Sequence, residues 1–218
     1  MTIPSKLTAT AIKTLGEDED PEAASLPGME GETASSFRKP ALGRENAPLS
    51  GAERGVAAHL VMQHIDFQKT GSAEEIADEI ERLRRLGFID DREAEAVKPE
   101  DILAFFRSET GRRLLGAEHV TREFRFSLLC PARIWYPAAP AEEEILLQGV
   151  VDCCMEEEGK LTVIDFKTDA RIEPEHHTAQ LKAYAEAMER ITGKPVRGAV
   201  LWYLRHKKAV EVPLGMEN

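Results

Sequence analysis

From Gly55 onward the chain carries two successive hydrophobic periods. Val56, Leu60, Val61 and Ile65 recur at helical spacing. Gly71 and Ser72 interrupt them, and Ser72 with Glu75 three residues later predicts a capping box. Ile76, Ile80 and Leu83 then form an apolar stripe that Gly87 ends. Asp90 opens a further helix with Ala94 and Val97 facing inward. Pro99 suits the first position of the next, which carries Ile102, Leu103 and Phe106. A short helix from Gly111 to Gly116 completes a helical block over 55–116.

Strand patterns follow, over 120–129, 145–155 and 161–166, the last two joined by a hairpin turn at 156–160. Pro174 starts a helix that runs to about residue 192, where Gly193 and Pro195 stop it. Strands over 196–204 and 209–212 close the chain. The order β-β-β-α-β-β after a helical half predicts an α/β fold with a mixed sheet and helices packed on it. At the N-terminus, Leu7, Ile12 and Leu15 suggest an anchor of one or two helical turns within residues 1–15. Residues 16–52 are rich in Glu, Asp, Pro, Gly and Ser and bury too little to offset ordering entropy, so they read as an acidic flexible loop or linker. The remainder, 53–218, reads as one domain, with sheet and core at 119–212.

Composition narrows this modestly. The 218 residues suit one domain with tails, and 6% aromatics suggest an aliphatic core. Three cysteines, two of them adjacent, make neither a disulfide framework nor a CxxC clip, and a reducing cytosol fits. No apolar run reaches the roughly 18 residues of a membrane helix. The net charge is −11, and by itself argues against a nucleic-acid binder. However, Glu17, Asp18, Glu19, Asp20, Glu22, Glu30 and Glu32 crowd into the loop, so the body is only mildly acidic.

The chemistry concentrates at 149–169, GVVDCCMEEEGKLTVIDFKTD. Asp152 and Asp165 lie on the two strands of one hairpin. Lys167 is two residues after Asp165 and shares its face, while Ile164 and Phe166 face the other way. Two close carboxylates repel unless a cation lies between them. Hard divalent cations take oxygen ligands, and such a site polarises phosphoryl oxygens and activates water. Lysine then suits the charge that develops on phosphate. Alone, a D-x-K is more often a solvated ion pair. Asp152 upstream, and Gln180 and Tyr184 at i and i+4 on the following helix, favour a site. A lone His59 would more often be a core or surface residue. His64 lies off the face of His59. His176 and His177 point apart at an expected exposed helix start. Arg82, Arg84, Arg85, Arg112 and Arg113 read as a solvated face with scope for phosphate contacts.

These motifs resemble the PD-(D/E)XK nucleases, specifically their RecB-type branch. There a strand-end Gly-x-x-Asp (here Gly149 to Asp152) stands in place of Pro-Asp, and Gln-x-x-x-Tyr (Gln180 to Tyr184) follows on a helix. An upstream helix supplies Gly-x-x-x-His, here Gly55 to His59. TREFRF, with Glu123, resembles the strand before the hairpin. PSKLTATAIK and RGVAAHLVMQHIDF resemble the C-terminal nuclease domain of the AddA subunit of AddAB helicase–nucleases. The resemblance implies a restriction-endonuclease-like fold with a mixed central sheet flanked by helices. It implies a metal-dependent deoxyribonuclease, with exonuclease action on single-stranded DNA delivered by a helicase during double-strand-break processing and recombinational repair. Asp152, Asp165, His59 and the Phe166 carbonyl are the implied ligands of Mg²⁺, with Mn²⁺ as a substitute. Lys167 is implied to act on phosphate or water, Gln180 and Tyr184 to position DNA or the lysine, and Glu123 to hold a water or second metal. The implied partners are DNA, a helicase motor in the same polypeptide and an AddB-like protein, in a bacterial, nucleoid-associated cytoplasm. No G-x-x-x-x-G-K-[S/T] occurs, so no ATP site is expected. A stand-alone RecB-like exonuclease, an inactive restriction-fold interaction module and a small-phosphoester hydrolase remain alternatives.

Overall fold

The computed structural model describes residues 4–9, 11–12 and 49–214. Five helices come first: α1 (Gly51–His64), α2 (Ala73–Arg85), α3 (Asp91–Ala96), α4 (Pro99–Arg107) and α5 (Glu109–Gly116). Their starts follow from local chemistry. Ser50 and Glu53 form a full capping box on α1, and Asp90 and Glu93 form another on α3. On α2 the expected box is half made. Ser72 caps Glu75 N–H, but the Glu75 carboxylate reaches back to Gly71 N–H at 2.9 Å. Because Ser50 caps α1, Gly51 and Ala52 are helical, so the linker expected over 16–52 ends earlier than its composition suggested. Its remaining part up to residue 48 lies outside the described residues.

The sheet contains β1 (Lys6–Thr8), β2 (His119–Pro131), β3 (Glu144–Glu157), β4 (Lys160–Lys167), β5 (Val196–Tyr203) and β6 (Lys208–Val212), with α6 (Glu175–Thr192) between β4 and β5. Its order is β1-β3-β4-β5-β6, with β2 also on β3. β1–β3 and β4–β5 are parallel and the other pairs antiparallel. The β3–β4 turn uses Glu158 and Gly159, both at positive φ, as a tight hairpin requires. β1 corrects the expected helical anchor. Lys6–Thr8 is a strand, and Leu7 is buried in the core, as are Ala9 and Ile12 beyond it. Three residues are too few to show a period, and Leu7 finds its partner, Leu147, far along the chain. Leu15 lies outside the described residues.

Two cores cover the two faces of the sheet. One contains α6, β1 and residues such as Val163, Leu201 and Tyr203. The other joins the helical block to Cys153, Met155, Ile164, Phe166 and Trp202. This second core is mostly aliphatic, as composition suggests, with an aromatic cluster at its seam with the sheet. Phe105, fully buried, sets its ring edge-on to Phe106, Phe166 and Trp202 at 5.1–5.4 Å.

Candidate active site

Strand β3 has two edges, and their division makes the site. β2 follows one edge over nearly its whole length. The other edge is shared, with β1 against 146–148 and β4 against 153–157. Residues 149–152 therefore lie at a fork where β4 leaves β3 and continues beside β5. Gly149 has a packing reason to be glycine. A Cβ there would lie 2.7 Å from the Phe126 ring and 3.0 Å from Ala9 Cβ.

Asp152 sits at the fork, one step beyond the last β3–β4 pair, Cys153↔Ile164; continuing that register sets it across from Asp165. Its Oδ2 accepts a 2.9 Å hydrogen bond from Phe166 N–H, replacing the strand ladder that has ended there. The β2–β3 register sets Glu123 across from Asp152 on the other side, between Arg122↔Cys153 and Phe124↔Val151. Glu123 is in the left-handed region at φ 52, a costly conformation for a non-glycine residue within a strand. Burial pushes the Asp152 carboxyl well above the usual range, and the charges of Asp165 and Glu123 push it further. Burial likewise raises Glu123. Carboxyl groups are thus gathered from three adjacent strands in a setting that disfavours their charge.

Asp165 is buried, and its Oδ2 lies 2.5 Å from Lys167 Nζ. That is an ion pair in distance, yet the oxygen lies off the hydrogen-bonding direction and has no hydrogen-bond partner. Lys167 Nζ also donates to Gln180 Oε1 at 3.3 Å, and Gln180 Nε2 donates to Tyr184 Oη at 2.7 Å. This relay requires both residues on one face of α6, which their i, i+4 spacing provides. Burial, then the charges of Asp165 and Asp152, raise Tyr184, so its hydroxyl stays protonated. Phe126 braces Tyr184 edge-on at 6.1 Å.

His59 reaches the fork from α1. Its Nδ1 is 3.5 Å from Asp152 Oδ2, with 33% of its side chain exposed. Burial lowers its pKa, opposed by Asp165 and by a hydrogen bond to the Phe166 backbone, so the imidazole favours the neutral state in which it ligates metals. Gly55, one turn earlier, explains the approach. A Cβ there would come within 2.6 Å of Thr168 Oγ1, so any larger residue requires Thr168 or α1 to shift.

The fold thus brings His59, Glu123, Asp152, Asp165, Phe166, Lys167, Gln180 and Tyr184 to one end of the sheet. Among the described residues, no three His, Cys, Asp or Glu side chains already form a closed metal cage. The donor chemistry nevertheless fits a hard divalent cation: opposed carboxylates, a buried carboxylate oxygen without a hydrogen bond and a neutral imidazole.

Residues 36–216 match the PD-(D/E)XK nuclease superfamily. The chain belongs to this superfamily. Its mixed sheet flanked by helices is the restriction-endonuclease-like fold. The chain is 36% identical over 211 residues to a component of the ATP-dependent helicase/nuclease of Clostridium botulinum (strain Langeland / NCTC 10281 / Type F), covering 92% of this chain and 16% of that protein. It is 37% identical over 174 residues to the protein of the same name from Clostridium kluyveri, covering 76% of this chain and 14% of that one. The chain therefore spans only 14–16% of the length of these relatives.

Other residues singled out in the sequence have different places in this PD-(D/E)XK chain. His177 is buried, against the exposed position expected, with Nε2 3.0 Å from Asp169 Oδ2. His64 lies against the Phe88 ring at 4.1 Å. Arg82 binds buried Glu79, Arg84 binds Glu81 and Asp91, and Arg113 binds Glu157, so these guanidinium groups are engaged within the protein. Cys153 and Cys154 are buried thiols, and Cys154 is pushed up to about 12 by burial. The sequence pattern does not reveal Thr168 and Phe126. Their roles come from contacts across the fold, with only Gly55 and Gly149 as signals.

Proposed function

We propose that the chain is the nuclease domain of a helicase–nuclease, hydrolysing phosphodiester bonds of single-stranded DNA with a divalent metal. The observation that carries this reading is the fork itself, where Asp152 and Asp165 oppose each other beside a lysine tethered to Gln180. Asp152, Asp165, His59 and the Phe166 carbonyl would hold Mg²⁺, or Mn²⁺ in its place. Bound there, the metal supplies Lewis acidity toward phosphate and water. Lys167, fixed by the Gln180–Tyr184 relay, stabilises charge as it builds on the scissile phosphate. Tyr184 keeps its proton and orients Gln180. Glu123, facing Asp152 from β2, positions a water or a second cation. The intact Asp152, Asp165 and Lys167 set argues against an inactive interaction module.

The motor would lie in the remainder of a longer polypeptide, and an AddB-like protein would complete the assembly. DNA as the substrate places the work in the bacterial cytoplasm, at the nucleoid. Among the described residues, no helix is long and apolar enough to cross a membrane.

The test is cleavage of a labelled single-stranded oligonucleotide in Mg²⁺ and then Mn²⁺. Lys167→Ala should reduce the rate by on the order of 10²–10³-fold while leaving circular dichroism unchanged. A variant that cleaves as fast as wild type would remove Lys167 from the mechanism, and cleavage in EDTA would remove the metal.

A further inference from the structure

A cavity of about 570 Å³ opens where α1, the start of α4 and the turn after β5 meet. Its wall includes Arg54, Lys98, Arg205 and Lys207, with Asp101 as its carboxylate and Thr168 as its link to the catalytic strand. Asp101 is taken by Lys207 at 3.1 Å. Among the described residues, Arg54, Lys98 and Arg205 have no ion-pair partner, unlike Arg82, Arg84 and Arg113, which are paired with carboxylates. The cavity is therefore positive in a chain whose net charge is −11.

Its position ties it to the chemistry. Arg54 precedes Gly55, the residue that lets α1 touch Thr168, and Thr168 follows Lys167. Arg205 lies in the turn just after β5, whose Tyr203 pairs with Lys167. Lys98 immediately precedes α4 and brings its charge to the wall between α1 and the turn after β5.

We propose that this cavity is a phosphate-backbone subsite, holding the nucleotides next to the scissile bond through Arg54, Lys98 and Arg205. It rests on the nuclease reading and deepens it. Phosphate contacts fix register without reading sequence, so the subsite takes any strand. It also accounts for how an acidic domain holds a polyanion: a local positive cavity overrides the net charge at short range.

The test is the binding of a fluorescein-labelled 20-nucleotide oligothymidylate to the whole chain in EDTA, read by anisotropy from 50 to 200 mM salt. The variants are Arg54→Ala/Lys98→Ala/Arg205→Ala and, as a control, Lys160→Ala at the opposite end of β4. All four side chains are exposed, so folding should be retained. Three lost contacts should flatten the log–log salt slope by about 2 and weaken binding at 50 mM by roughly tenfold or more. The control should change neither. If wild type cleaves DNA in Mg²⁺ but the triple variant binds as wild type does, the subsite is wrong and the nuclease reading stands. An equal loss in the control would also overturn the subsite, since the effect would then be diffuse charge. If wild type neither binds nor cleaves, both readings fail together.

Discussion

At the fork, individual residues are held against their own stability. Asp152 is kept in a buried setting beside Asp165 and across from Glu123, each of which opposes its ionisation. Asp152→Asn removes a charge but keeps an oxygen to accept from Phe166 N–H. It should stabilise the metal-free protein by about 1 kcal/mol, a Tm rise of roughly 2–4 °C, while abolishing cleavage. The pH dependence follows from the raised carboxyl. The folded state keeps a proton that the unfolded state has lost, so this contribution is full at low pH and fades as pH rises through the folded value. Metal-free wild type should therefore lose Tm on going up from the ordinary carboxylate range, and Asp152→Asn should lose less. Calorimetry in EDTA across pH compares the two. Equal slopes would remove Asp152 as the source.

Among the elements, α1 matters most, because it must lie close enough for His59 to reach Asp152. Gly55→Ala places a methyl group 2.6 Å from Thr168 Oγ1 and should lift α1 off β4. Cleavage should fall by more than roughly tenfold, with a modest loss of Tm. Thr168→Ala in the same chain removes the clashing oxygen and should restore part of the rate, which a double-mutant cycle measures. α2 is tied down differently. Its Glu79, 1% exposed, accepts from Asp66 N–H, Lys69 and Arg82. The Arg82 hydrogen bond, more than any other contact, holds the Glu79 carboxyl below the usual range. Here the sign reverses: the stabilisation is present above the ordinary glutamate range and is lost as pH falls through the depressed value. Glu79→Ala should cost about 2–3 kcal/mol at neutral pH, less than a fully buried pair because Arg82 is partly solvated. Urea titration checks it, and the difference from wild type should shrink in acid.

For the molecule as a whole, one sheet separates two cores, and neighbouring residues of β3 serve both: Cys154 faces one core, Cys153 and Met155 the other. Neither core can melt without exposing the strands that support its counterpart. Trp202 is buried in the helical-block core and Trp135 packs against the other, so each reports one face. Fluorescence of Trp135→Phe and Trp202→Phe should give coincident urea midpoints, with matching circular dichroism. Separate midpoints would show two folding units. The sequence by itself determined what short-range geometry controls. Helical and strand periods set the order of elements from α1 to β6. Fixed offsets set Gln180 with Tyr184, Gly55 with His59 and Asp165 with Lys167, because i+4 on a helix and i+2 on a strand share a face whatever the fold. Only the tertiary structure decided what depends on distant partners. It made Lys6–Thr8 a strand, divided the edge of β3 so that Asp152 stands at a fork, and set Glu123 opposite it. It also placed Phe105 among the sheet aromatics, engaged Arg82, Arg84 and Arg113 with carboxylates, and left Arg54, Lys98 and Arg205 around a cavity. Register and charge pairing are settled by which segments meet, and no period along a chain records that.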